Sequence, residues 1–282
     1  MEKKSTRLWK WGKQIGCLSL FLLLGIQAAG YAQDDPAETL IRQLQDKDWE
    51  VRRMAAERLG GIDNPKVLEA LIVALRDENW RVREEVEWAL GKKGAAAVAP
   101  LIVALRDKNK HVRLEAVEAV GRIKDAGAVE PLIATLIDDE VYIRREAVTS
   151  LGEIKDTRAV ESLMAVLKDR SWLVRWEAAT ALGKIGDAKA TEALVEALHD
   201  KDATVRAETV RALGKIKDAK AIAPLILTLK DQDENVRKET ARVLGMIGDA
   251  AAVKPLEELA HDDPGETVRQ AAQNALEEMS VK

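Results

Sequence analysis

A Val-Arg pair, Ile-Arg once, recurs eight times in this chain, at Val51, Val82, Val112, Ile143, Val174, Val205, Val236 and Val268. The intervals are 31, 30, 31, 31, 31, 31 and 32 residues. A fixed period of this length excludes a single domain with a unique core. It requires an array of one small unit that covers its apolar side with its neighbours. Functional information in such an array lies where the units differ.

Residues Asp169 to Asp200 show the unit. Asp169 and Ser171, a good N-cap residue, precede a run from Trp172 to Ile185 in which Val174, Ala178, Ala179, Leu182 and Ile185 share one helical face. Gly186 is placed to stop that helix and Asp187 to cap a second one, from about Ala188 to His199, with Ala190, Ala193, Leu194, Ala197 and Leu198 on its apolar side. The same caps recur at Asn64 (followed by Pro65), Asp125, Asp156, Asp218 and Asp249. Gly60, Gly91, Gly121, Gly152, Gly183, Gly214 and Gly245 close the first helix and suggest close approach between helices. Pro100, Pro131, Pro224 and Pro255 hold one site early in the second helix, where a missing N–H costs little.

An Asp stands six residues before each repeated Arg: Asp46/Arg52, Asp77/Arg83, Asp107/Arg113, Asp138/Arg144, Asp169/Arg175, Asp200/Arg206, Asp231/Arg237 and Asp263/Arg269. A catalytic group is needed once, not eight times, so these pairs read as a structural ladder linking successive inter-helix turns. Together with the proline site and the run from Val174 to Asp187, they closely resemble HEAT-like repeats of the phycobilisome-lyase type, over residues 36–282. The resemblance implies an all-α, right-handed α-solenoid of about eight helical hairpins, with the Val-Arg helix on the concave face and the second helix on the convex one. It is weakly specific for function, because the family spans chromophore lyases, hydroxylases and binding scaffolds. Polar terminal helices fit a finite solenoid: Arg42, Gln43 and Gln45 at one end, and at the other Glu257, then a helix opening at Asp263-Pro264-Gly265-Glu266 and carrying Gln270, Gln273, Asn274, Glu277 and Glu278.

The first 32 residues are of another kind. Lys3, Lys4, Arg7, Lys10 and Lys13 precede a 12-residue apolar run, Ile15 to Ile26, and Gly30-Tyr31-Ala32 supplies small residues for cleavage after Ala32. This is the layout of a secretory signal peptide, and the run is short of the roughly 20 residues of a membrane span. The expected domains are therefore a signal peptide, 1–32, and a repeat solenoid, 33–282, exported to the periplasm or secreted. Removing the segment leaves 39 basic against 47 acidic residues, a net charge of −8, which argues against a general nucleic-acid or anionic-membrane binder. The only Cys and the only Phe leave with it, so the mature chain has no disulfide and an aliphatic core.

Positions two, six and ten after each repeated Val should face solvent on the first helices. There the second position holds Leu114, Arg145, Trp176 and Lys238, the sixth Trp88, Glu118, Arg211 and Arg242, and the tenth Arg122, Lys184 and Lys215. Trp88, Leu114 and Trp176 place large apolar groups on a wet face, as binding hot spots do. Lys184, Arg211, Lys215, Lys238 and Arg242 gather positive charge in the later repeats, against Glu84, Glu85, Glu87, Glu115 and Glu118 in the earlier ones, a polarity suited to an extended partner. The alternative is a drifted surface, with Trp176 packed on aliphatic stems. Trp49, Trp80 and Trp172 share a site two residues before the Val, where recurrence favours packing against the adjacent turn.

The second repeat departs furthest from the pattern. Glu87 replaces Ala or Val, Gly91-Lys92-Lys93-Gly94 is one residue shorter than the usual turn, and the helix from Ala95 to Leu105 has no charge, leaving Ala99 and Val103 for an apolar convex patch. HEAT-like hydroxylases hold iron with His-Glu pairs, whereas His111, His199 and His261 lie in different repeats and none precedes a Glu. The expectation is a monomeric, exported scaffold that binds a protein or peptide through the concave face, with no catalytic residue, metal or cofactor. A family-type lyase or hydroxylase activity is the alternative.

Overall fold

The computed structural model describes residues 35–280; the signal-peptide segment expected at 1–32 lies outside them. The described residues form sixteen α-helices and no strand. After a lone helix, Pro36–Gln43, they pair as first and second helices of repeats numbered here by their Val-Arg pair. The first helices are Trp49–Leu59, Trp80–Lys93, Lys110–Ile123, Val141–Ile154, Trp172–Ile185, Ala203–Ile216, Glu234–Ile247 and, closing the array as repeat 8, Glu266–Ser280. The second helices are Pro65–Ala74, Ala95–Ala104, Val129–Thr135, Val160–Val166, Thr191–Ala197, Ile222–Thr228 and Val253–Asp262. The chain is an all-α solenoid. No described helix is long and apolar enough to cross a membrane.

One aliphatic core runs through the array, built from Ala, Val, Leu and Ile contributed by every repeat. Each first helix buries its Val and Leu side between the second helix of its own unit and the first helices on either side. The repeated glycines make that second contact possible. A Cβ placed on Gly152 would stand 2.8 Å from the Ala181 Cβ, and one on Gly183 2.9 Å from the Ala212 Cα. Second helices instead meet the following repeat mainly through the short turn that opens it.

Several local expectations are corrected. In repeats 3 to 7 the glycine lies inside the first helix, which runs on through the next Ile. It ends on a left-handed residue at Lys124, Lys155, Gly186, Lys217 or Gly248. The close-approach role of those glycines therefore stands, and the stop belongs three residues later. The caps at Asp125, Asp156, Asp187, Asp218 and Asp249 do accept backbone amides, but they open a three-residue 3-10 turn before the α-helix begins. Pro131, Pro224 and Pro255 fall in the first α turn, whereas Pro100 sits inside Ala95–Ala104. Ser171 holds the N-cap position without a hydroxyl cap; its own amide donates to Asp169 Oδ1 at 2.8 Å. At the last helix, Gly265 takes over the capping carbonyl, and Asp263 supplies a bond to the Gly265 amide.

Candidate functional site

The repeated Arg side chains lie along the turns that precede the first helices. All but Arg83 and the last, Arg269, reach two places. Nη1 donates to the carbonyl of the Asp six residues earlier, as in Arg175 to Asp169 O at 2.9 Å, and Nε and Nη2 grip the Asp carboxylate of the next repeat. The Nε–Oδ2 distances are 2.6 Å for Arg52–Asp77, 2.7 Å for Arg113–Asp138, 2.8 Å for Arg144–Asp169, 2.6 Å for Arg175–Asp200, 2.7 Å for Arg206–Asp231 and 2.6 Å for Arg237–Asp263. Thus the partner of each carboxylate is the Arg 25 or 26 residues before it, not the one six residues after it. The same Asp carboxylate accepts the amide two residues on. Burial opposes ionisation of Asp138, Asp169, Asp200 and Asp231, but guanidinium and amide together hold each below the ordinary Asp value.

One rung is different. Arg83 and Asp107 are 24 residues apart, because the turn of repeat 2 lacks a residue. Arg83 Nε instead meets Glu115 at 3.2 Å, and Asp107 is taken by Arg76 from the preceding turn. In the shortened turn Lys93 replaces the repeated Ile, and its ammonium donates to the Leu59 and Ile62 carbonyls at the end of the previous first helix. Burial lowers its pKa.

The solvent face of the first helices carries the candidate binding residues. The residues named for it are all exposed or half-buried. Trp88 is 46% exposed, with the Arg122 guanidinium 3.4 Å from its ring centroid. Arg122 also binds Glu87 through both nitrogens, at 2.8 and 2.9 Å. Leu114 and Trp176 are half-buried, and Leu114 packs on the core. Arg145 approaches Glu146 at 3.4 Å and stands 5.9 Å from the Tyr142 ring centroid.

The positive stripe expected in the later repeats is largely neutralised where it stands. Lys184 binds Glu153 at 2.8 Å, Arg211 binds Glu208 at 2.8 Å and Glu239 at 3.2 Å, and Arg242 binds Glu239 at 2.5 Å. Lys238 donates to Asn235, and Lys215 is exposed. These carboxylates expose a pattern the sequence reading missed. Glu85, Glu115, Glu146, Glu177, Glu208 and Glu239 all stand three residues after the repeated Val, in six consecutive repeats. The signal was in plain register and was overlooked because only outward positions were compared.

Carboxylates cluster on the first helices of repeats 2 to 4, where Glu87, Glu115 and Glu146 surround Glu118. Burial pushes Glu87, Glu115 and Glu177 above the ordinary Glu value. Burial, with Glu115, Glu146 and Glu87 adding repulsion, pushes Glu118 up to about 7. A shallow pocket of about 320 Å³ opens beside it, lined by Glu118, Arg122, Glu146, Thr149 and Ser150 among others. By contrast Lys124 and Lys184 together draw Glu153 down to about 2. At the turn edge, Trp49 packs on the core as expected, while Trp80 and Trp172 are about half exposed. Arg81 lies 5.4 Å from the Trp49 ring centroid and 4.6 Å from that of Trp80. His111, His199 and His261 are all exposed, and no three His, Cys, Asp or Glu among the described residues are grouped to hold a metal.

With this geometry in place, the chain was compared with known proteins. A family model described as HEAT repeats matches residues 37–96, 73–148, 129–207 and 191–277. A comparison with curated proteins found no match. Among solved structures, YibA of E. coli is 22% identical, covers 100% of both chains and superposes with a TM-score of 0.60. An engineered protein is 24% identical over 87% of this chain and 79% of its own, with a TM-score of 0.52. The complex of CpcE and CpcF of phycocyanin lyase from a Nostoc species is 23% identical over 88% of this chain and 97% of its own, at a TM-score of 0.44. The first two share the fold, and the overlapping family matches run through almost the whole described array. The chain belongs to the HEAT-repeat family.

Proposed function

We propose that the chain is an exported scaffold that receives a protein or peptide partner on the solvent face of its first helices. The carrying observation is Trp88. It is a large aromatic side chain, nearly half exposed. Its ring is held flat by an arginine that is itself fixed to buried Glu87. A rigid, amphipathic plate of this kind loses little side-chain entropy on binding, as interface anchors do. The glycine contacts bring first helices together, which favours curvature toward them and supports their face as the inner side of the groove. The basic 1–13 stretch and apolar run ahead of the repeats support export. Because the later bases are paired with glutamates, the groups left to draw a partner are the clustered carboxylates Glu84, Glu87, Glu115, Glu118 and Glu146, complementary to basic side chains.

Affinity capture from the cell envelope tests this reading. The wild-type chain should retain a defined partner that Trp88→Ala/Trp176→Ala loses, with affinity down by about thirtyfold for a hot spot worth 2 kcal/mol. Equal capture of the same proteins by both would defeat it.

A further inference from the structure

The joint between repeats 2 and 3 is built from different chemistry than the regular joints. Between repeats 4 and 5, for instance, the turns are clamped by Arg144 on Asp169 and the helices touch at Gly152 against Ala181. Between repeats 2 and 3 the clamp is absent. Arg83 is turned onto Glu115, Glu87 stands buried where other repeats have Ala or Val, and Gly91 faces the Arg122 side chain rather than an alanine. Pro100 sits inside the helix that follows the shortened turn.

Five carboxylates face this joint or lie next to it: Glu84 and Glu87 from repeat 2, Glu115 and Glu118 from repeat 3, and Glu146 from repeat 4. The opposing charges are Arg83, Arg122 and Arg145. Lys124 and Glu153, at the rim, are bound to each other at 2.7 Å. Arg53, from repeat 1, is occupied with Glu85 at 3.3 Å. Three guanidiniums therefore confront five carboxylates, in a place where the ladder that holds the other joints has lost its rung. Glu118 is half-buried with like charges on both neighbouring helices.

We infer that the joint between repeats 2 and 3 is a proton-controlled hinge, drawn tight when the Glu87–Glu115–Glu118 cluster takes up a proton and loosened as the cluster ionises, while the other joints stay fixed. The direction follows from where each carboxylate is most stable. In the closed joint, burial and mutual repulsion favour the neutral form of Glu87, Glu115 and Glu118. Opening gives these groups water and separates the charges, so ionisation favours opening. The ladder aspartates behave oppositely, being held ionised by Arg, and do not change protonation over the same range.

Hydrogen exchange of the full chain, corrected for intrinsic rates, at pH 5.5 and pH 8 tests the hinge without any partner. Peptides from Trp80–Lys93 and Lys110–Ile123 should be protected about tenfold better at the lower pH, and peptides from repeats 6 and 7 should be unchanged. Glu118→Gln should give the acid pattern at pH 8. A second variant restores the regular turn by Lys93→Ile with one Asp inserted after Gly94, returning Asp107 to Arg83. It should reduce the pH dependence of the joint. A uniform pH response across all repeats, or a response unaltered by both variants, would overturn the hinge.

Discussion

The joints between repeats 4 and 7 and the joint between repeats 2 and 3 solve one packing problem in two ways. The regular joints combine glycine-on-alanine or glycine-on-valine contact with a two-pronged Arg–Asp clamp whose carboxylate is also an amide acceptor. Every polar atom of that clamp has a partner, and the charges are of opposite sign and nearly equal burial. Loss of a single residue from one turn moves Asp107 out of reach of Arg83, and a different set of ionic contacts fills the space. An added residue is tolerated, since Arg237 still grips Asp263 across 26 residues, whereas the missing residue between Arg83 and Asp107 loses the clamp. Where the turn is shortened, the joint becomes electrostatically conditional.

The largest effect should come from the clamp itself. Arg175→Ala leaves Asp200 without its guanidinium and should cost about 3 kcal/mol in urea unfolding. Arg83→Ala should cost clearly less at pH 5, because Glu115 can take a proton; equal losses for the two would erase the distinction between the joints. Next, Gly183→Ala drives a methyl to within 2.9 Å of the Ala212 Cα and should destabilise by about 2 kcal/mol. Gly91→Ala meets the flexible Arg122 side chain instead. It should cost less while altering Trp88 fluorescence as the stacked guanidinium moves.

A smaller effect is tied to pH. The folded value of Glu118, about 7, lies above the ordinary Glu value of 4.5. Its stabilising contribution is therefore fully present below 4.5 and is lost as pH rises through 7. The ladder aspartates have the opposite sense, since their contribution is present above the ordinary value of 3.8 and is lost as pH falls below it. Glu118→Gln should accordingly raise the thermal midpoint at pH 8 and leave it nearly unchanged below pH 4.5. The smallest effect concerns a position common to all regular repeats. Lys155 holds φ 58° at a helix end where Gly186 and Gly248 occupy the equivalent site, so Lys155→Gly should stabilise by about 0.5 kcal/mol as left-handed strain is released. A neutral or destabilising result would mean that the lysine makes up for the backbone it strains.

The fold was legible because its signals repeat. Val-Arg, the capping Asp and the glycine each appear often enough to separate pattern from accident, and Pro131, Pro224 and Pro255 mark helix beginnings on their own. What the periodicity did not convey was which Asp an Arg would meet. Sequence proximity favoured the Asp six residues earlier, whereas the guanidinium uses that residue's carbonyl and gives its charge to the next repeat. The candidate face was legible in its positions and less so in its charge. Arg211 and Arg242 read as free cations, each on its own first helix, but their acidic partners, Glu208 and Glu239, lie one turn earlier at a buried register. The stacking of Arg122 on Trp88 joins adjacent repeats and had no local signature at all.

The Arg clamp also has a direction: each unit gives a cation forward and receives one from behind. The order of units is thereby fixed, but their number is not. Excising residues 145–175 would leave Arg144 the same 25 positions from Asp200 that now separate Arg175 from it. The molecule can thus grow or shrink by whole modules with the ladder remade, and its reach becomes a quantity inherited in discrete steps.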